Sequence, residues 1–382
     1  MYLEERAFWV AWSQIPAVGP VLLGRLFKYF GSLAAAWQAE PEALTQVQGL
    51  GRQLVEKIVT RRSQLNPQQL YSEHLRQNPN FWTPADPDYP RLLGEIPNPP
   101  PLLYYQGQVD RQETLGNRPI VGIVGTRNPS EYGQRCTRRI SQILAECGFT
   151  IVSGMAAGID THAHLGCLDA DGRTIAVFGT PLNKIYPETN RNLSEKIIQK
   201  GLFLSEHPVG TLTRREHFAQ RNRIIAGLSQ AILVMEAPER SGALITAKVA
   251  NEYSRDVFAL PGRIDDPNSQ GCLRLLKNGA ETIINETELL EMLGAIPKYH
   301  PTPSPTAANL TSPTAVMPPL PSLPDLAPPL QQVWEATAIE PIAFELIVSQ
   351  AQLDAASVSS ALLQLELIGL VEQLPGMRYR RS

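Results

Sequence analysis

Residues 120–133 read Ile120-Val121-Gly122-Ile123-Val124-Gly125-Thr126-Arg127-Asn128-Pro129-Ser130-Glu131-Tyr132-Gly133. The first five form an apolar, β-branched run too short for a helix, and it stops on a glycine turn. Ser130 then offers a hydroxyl to cap the helix that follows. Strand, glycine turn and capped helix make up one unit of a parallel α/β layer. The unit repeats downstream. Thr150–Val152, Thr174–Phe178, Leu202–Leu204, Ala231–Met235, Val257–Leu260 and Thr282–Ile284 read as strands, and helical patterns separate most of them. Strands that are apolar throughout must be covered on both faces, so residues 118–296 are expected to form a Rossmann-like parallel sheet between helices.

Upstream, residues 1–75 read as a small helical domain. Ile15-Pro16-Ala17-Val18-Gly19 and Val47-Gln48-Gly49-Leu50-Gly51 each precede an apolar-periodic segment. The pair fits either a helix-hairpin-helix, whose turn N–H groups hold a phosphate, or a helical bundle with tight turns. Residues 76–117 form an irregular bridge punctuated by Pro and Asp, with one strand-like run at Leu102–Tyr105. From Pro297 to Pro329, 11 of 33 residues are proline, and only Lys298 and Asp325 are charged. That composition favours an extended tether. Residues 330–382 read as three helices followed by two short strands around Pro375-Gly376, the outline of a winged helix.

The 382 residues include 34 Lys+Arg and 37 Asp+Glu, a formal net charge of −3. That balance gives no overall hint of a nucleic-acid partner. By segment, residues 1–117 carry 10 basic and 11 acidic side chains, 118–296 carry 20 and 19, and 297–382 carry 4 and 7. The deficit therefore lies mainly in the tether and tail. Cys136, Cys147, Cys167 and Cys272 are far apart, with no C-x-x-C, which suits free thiols in a reducing cytoplasm. Glu4, Glu5 and Arg6 precede the first apolar run, unlike a signal peptide, and no apolar run reaches membrane-spanning length.

In an open parallel sheet, ligands bind beyond the carboxyl ends of the strands. There the chain places Gly125-Thr126-Arg127, Ser153-Gly154-Met155-Ala156-Ala157-Gly158, Arg221-Asn222-Arg223 and Ser241-Gly242, with Lys248 in the following helix. Glycine turns with capping hydroxyls form anion cradles, and the Ser153–Gly158 loop reads as one. Arg127, Arg221, Arg223 and Lys248 supply cations, so the edge suits the phosphates of a nucleotide or of a nucleic acid. His162-Ala163-His164 points its imidazoles to different helix faces, against a metal pair. Asp160 reads as a capping carboxylate. The chain has no phosphate-loop lysine motif and no Gly-x-Ser-x-Gly elbow, so no catalytic residue, metal or cofactor is assigned.

The segments Gly125-Thr126-Arg127-x-Pro129-Ser130-x-Tyr132-Gly133, Ser153-Gly154-x-Ala156-x-Gly158-Ile159-Asp160, Phe218-x-x-Arg221-Asn222-Arg223-Ile224-Ile225-Ala226-Gly227-Leu228-Ser229, Ser241-Gly242-x-Leu244-Ile245-Thr246-Ala247 and Leu260-Pro261-Gly262 together resemble the DprA/Smf family. The resemblance spans about residues 100–285. It implies a bacterial protein of natural transformation that binds and protects incoming single-stranded DNA and loads the RecA recombinase. It further implies a homodimer formed through the Rossmann-like domain, and a binding protein with no established catalysis. Carried onto this chain, it puts Arg127 on a phosphate and adds Arg215 and Phe218 to the pocket. Phe218 then either stacks on a base or packs in the core. Arg221 and Arg223 either line the groove or serve structure, pairing with Glu216 or Glu236.

Pro181-Leu182-Asn183, Ala219 and Cys272-Leu273 depart from the family pattern. A competing class is a Rossmann-like nucleotide hydrolase of the nucleoside-monophosphate phosphoribohydrolase type. That chemistry needs a catalytic Glu soon after the glycine motif, where this chain has Ala247-Lys248-Val249. In the tail, the expected recognition helix carries no basic residue, so a protein contact suits it better than DNA.

Overall fold

The computed structural model describes residues 2–294, 328–338, 342–351, 353, 355–367, 370–374 and 378–381. The tether read at 297–329 lies outside them apart from its last two residues, and so does the turn at Pro375-Gly376. Contacts divide the chain into two units, Met1–Thr302 and Pro303–Ser382.

The first unit is built on a nine-stranded sheet. Its strands are β1 (Phe81–Trp82), β2 (Leu103–Gly107), β3 (Ile120–Val124), β4 (Thr150–Ser153), β5 (Thr174–Phe178), β6 (Leu202–Ser205), β7 (Ala231–Val234), β8 (Asp256–Ala259) and β9 (Glu281–Thr282), in the order β1-β2-β6-β5-β4-β3-β7-β8-β9. The seven strands from β3 to β9 are mutually parallel. The bridge departs from its irregular reading. Its Phe81–Trp82 and Leu103–Gly107 extend the sheet antiparallel, with Tyr104 opposite both Phe81 and Ser205. Prolines and a two-residue length hide that pairing in the sequence.

β3 is buried on both faces, as its unbroken apolar run requires. Val124, Ile232 and Val234 belong to the core on one side, and Val121, Ile123 and Leu233 to that on the other. Ser130 caps the helix Glu131–Glu146, its hydroxyl accepting from the Gly133 N–H at 3.1 Å. The chain runs outward from β3 to β6 on one side, then crosses to β7 and continues to β9 on the other. The loops after β3 and β7 therefore diverge and leave a crevice at this switch point.

Six helices between Tyr2 and Gln77 pack around Trp9, Trp12 and Trp37. Phe81, Leu102 and Tyr104 share that core, which ties the helical region to the sheet edge. Gly19 and Gly51 stand at the N-caps of Pro20–Phe30 and Arg52–Arg62.

The second unit contains helices Pro328–Ala336, Phe344–Ala351 and Ala355–Leu367. Its sheet comprises β10 (Ile342–Ala343), β11 (Val371–Leu374) and β12 (Arg378–Arg381), with β12 central. Three helices and a three-stranded wing around Val333, Ile347, Leu362 and Tyr379 make a winged helix. The Arg380 guanidinium pairs with Glu372 at 2.6 Å, and that of Arg381 lies 4.0 Å from the Trp334 ring centroid. Two of the three cations near the end of the chain are therefore engaged within the unit itself.

Candidate functional site

The switch-point crevice holds a cavity of about 240 Å³ whose lining includes Gly125, Thr126, Arg127, Arg221, Asn222, Ser241 and Gly242. A second, shallower cavity of about 610 Å³ adjoins it, with Arg215, Phe218 and Lys248 on its wall. Asn222, Arg240, Ser241 and Gly242 line both, so the two form one groove.

Each flank has a local cause. The Thr126 N–H donates to the Glu236 carbonyl at 2.7 Å, which fastens the first loop to the end of β7. The buried Glu236 carboxylate accepts from the Ser130 N–H at 3.0 Å and its hydroxyl at 3.1 Å. With that loop tied down, Arg127 projects into solvent. On the opposite flank, the Ser241 hydroxyl accepts from the Ala243 N–H at 3.2 Å and starts the helix Gly242–Glu252. That N-terminus, with exposed Gly242 on it, adds the positive end of a helix dipole to the groove.

The groove is cationic although the domain as a whole is balanced. Arg127, Arg215, Arg240 and Lys248 are all exposed. Among the described residues, Arg127, Arg215 and Arg240 make no ion pair, and Lys248 reaches Glu252 only at 3.8 Å. Two acids among the described residues line the groove: Glu239 is drawn aside by Arg274 at 2.8 Å, and Asp160 is turned onto the Gly154 and Ala156 N–H groups. Phe218 is half-buried. The Arg127 guanidinium lies 5.9 Å from its ring centroid, and the half-exposed Tyr186 ring is 5.1 Å away. One aromatic surface is thus presented beside one cation.

Four expected residues lie elsewhere. Ser153 is fully buried, and its hydroxyl donates to the Ile123 carbonyl at 2.6 Å. The Ser153–Gly158 loop is not an open anion cradle, because Asp160 already fills it. The Gly154 and Ala156 N–H groups donate to one Asp160 oxygen at 3.1 and 3.2 Å. Gly158, at φ +83°, has a packing role, since a Cβ there would strike the Thr126 and Arg127 backbone. Arg223 turns away from the groove to pair with Glu206, rather than with Glu216 or Glu236.

Arg221 lines the cavity yet is only 4% exposed, and it donates to the Gly154 and Val177 carbonyls. Burial pulls its pKa down to about 10, with Asp160 opposing the shift, so it stays charged at neutral pH. Burial likewise pushes the Asp160 carboxyl above its ordinary value, against Arg221 and the N–H groups it accepts from. This pair pins the ends of β4 and β5.

Sequence reading missed Arg240 and the ring contact of Tyr186, and it named Glu236 only as an arginine partner, whereas Glu236 holds Ser130. Glu239 sits beside Arg240 in the chain and masks its charge, and nothing local signals that Arg274 takes that acid. No group of three or more His, Cys, Asp or Glu could hold a metal among the described residues. His162 and His164 do part company: His164 is buried on Thr174 at 2.7 Å, whereas His162 is half-buried. No described helix is long and apolar enough to cross a membrane.

Residues 80–294 match the family model for DNA recombination-mediator protein A, and residues 317–377 match that of the DprA winged helix domain. The chain is 53% identical to protein Smf of Synechocystis, across 99% of both chains. The crystal structure of DNA processing protein A from Streptococcus pneumoniae superposes with a TM-score of 0.64 at 34% identity, covering 75% of this chain and 97% of that one. A Helicobacter pylori DprA structure, described for its single-stranded DNA binding mode, superposes with a TM-score of 0.50 at 32% identity, covering 56% and 95%. With its sheet, winged helix and full-length similarity in agreement, the chain belongs to the DprA/Smf family.

Proposed function

We propose that the switch-point groove binds single-stranded DNA without sequence preference. Backbone phosphates lie on Arg127, Arg215, Arg240 and Lys248, and one base stacks on Phe218. One observation carries this reading: four exposed cations, three of them without an ion pair among the described residues, surround a half-buried aromatic ring that Arg127 already flanks at 5.9 Å. Such a site grips the backbone and a π-face, which every sequence offers. The Helicobacter pylori relative, described as binding single-stranded DNA, supports the same ligand.

Protection of the strand, loading of RecA and pairing into a homodimer through the Rossmann-like domain extend the proposal and rest on family membership. So does action as a binding protein rather than an enzyme. Lys248 stands where hydrolytic chemistry wants a carboxylate. Four free thiols suit the cytoplasm. We divide the chain as helical domain 1–75, bridge 76–117, binding domain 118–296, tether 297–329 and winged helix 330–382. The winged helix, with its internally engaged arginines, serves as a protein contact.

The test is a titration of labelled oligothymidylate with wild type and Arg127→Ala at two salt concentrations. Four phosphate contacts give a slope of log affinity on log salt near −3, and the variant flattens it by about 0.7. Equal affinity and slope for the two proteins would remove Arg127 from the interface.

A further inference from the structure

A third cavity, of about 250 Å³, lies beside the carboxyl ends of β5 and β6, where β2 and the segment before β1 close over them. We propose that it is a second base subsite, which takes one nucleobase of the same single strand that crosses the Phe218 groove. The inference rests on the proposed function and adds where the strand goes next.

The lining chemistry argues for a base rather than a phosphate. Among the described residues, no Lys, Arg, Asp or Glu lines the cavity, in contrast to the groove. Its polar wall is largely carboxamide, with Asn78, Asn80, Gln106 and Asn183 among the lining residues. Carboxamides donate and accept hydrogen bonds at once, which matches the mixed edge of a neutral heteroaromatic ring. Tyr105 supplies an aromatic wall that is itself held in place, stacked on Trp82 at 4.1 Å and 20°. His207 also lines the cavity, and its buried Nε2 has no hydrogen-bond partner among the described residues. Burial, followed by His217 and Arg223, pulls its pKa down to about 4, so the imidazole is neutral at physiological pH.

Continuity with the groove comes from the helix Arg215–Leu228. His207 stacks on His217 at 4.0 Å, and His217 directly precedes Phe218. One aromatic pair therefore separates the two sites. The loop after β5 links them as well, carrying Leu182 and Asn183 to the cavity and Tyr186 to the Phe218 ring.

The experiment uses the full chain and oligothymidylates of increasing length, some with 2-aminopurine at a single position. Gln106 and Asn183 are exposed, so Gln106→Trp and Asn183→Leu alter the cavity without disturbing a core. Both variants are expected to bind the shortest oligonucleotides as the wild type does. With longer ones they lose about tenfold in affinity, the worth of one stacked base, together with the position-specific change in 2-aminopurine fluorescence. Arg127→Ala is expected to weaken binding at every length. If Arg127→Ala weakens binding while both cavity variants match the wild type at all lengths and positions, the second subsite is refuted and the groove stands. If Arg127→Ala also binds like the wild type, the groove reading falls and this inference falls with it.

Discussion

Replacing Arg221 by Met removes a buried cation while keeping a side chain of similar reach. The guanidinium satisfies the Gly154 and Val177 carbonyls and faces Asp160 in a site only 4% exposed. Its loss strands a buried carboxylate, which costs about 3–5 kcal/mol, and leaves two carbonyls without their donor. Asp160 keeps the Gly154 and Ala156 N–H groups, so the penalty should be on the order of 4 kcal/mol. For a unit of this size that lowers the melting temperature by roughly 10 °C. Calorimetry of the full chain reads the shift directly. Adding Asp160→Asn removes the stranded charge and should recover about 1–2 kcal/mol, a coupling expected only of residues in contact. If Arg221→Met melts like the wild type but binds single-stranded DNA tenfold more weakly, Arg221 is a ligand and not a brace.

Phe218→Ala should weaken single-stranded DNA binding by about 1–3 kcal/mol and leave the salt slope unchanged, since it removes a stacking face and no charge; fluorescence anisotropy at two salt concentrations measures both. Acid should destabilise the fold through His164, whose pKa burial pulls down to about 3. Below pH 6.5 the unfolded chain takes up a proton that the folded chain excludes, so stability falls with pH by about 1.4 kcal/mol per unit, on the order of 3 kcal/mol by pH 4. A series of melting temperatures against pH should therefore be shallower for His164→Leu than for the wild type, with the residual slope including the share of His207.

The sheet was legible because its parallel strands from β3 to β8 are short, mostly apolar runs, and each ends on a turn or a cap; β9, Glu281–Thr282, lacks that pattern and falls at the start of the expected Thr282–Ile284. The site was legible in outline for the same reason, since motifs at the carboxyl ends of parallel strands converge by topology. What stayed hidden depends on partners distant in the chain or on the direction in which groups point. The Ser153–Gly158 loop has the composition of an anion cradle, but its N–H groups turn inward onto Asp160, and composition does not record that turn. Arg223 looks like Arg221 in sequence. The fold alone decides that Glu206 takes one and the Gly154 and Val177 carbonyls take the other. Glu236 reads as an ordinary strand-end acid until Gly133 and Ser130 arrive beside it.

Site-directed photo-crosslinking reads out whether the strand lies in the switch-point groove. An oligothymidylate carrying one photoreactive base is bound to the full chain and irradiated, and the crosslinked peptides are sequenced. Adducts are expected at Phe218 and Tyr186, and fewer of them in Arg127→Ala. Adducts confined to residues 2–77 or to the winged helix would contradict that placement.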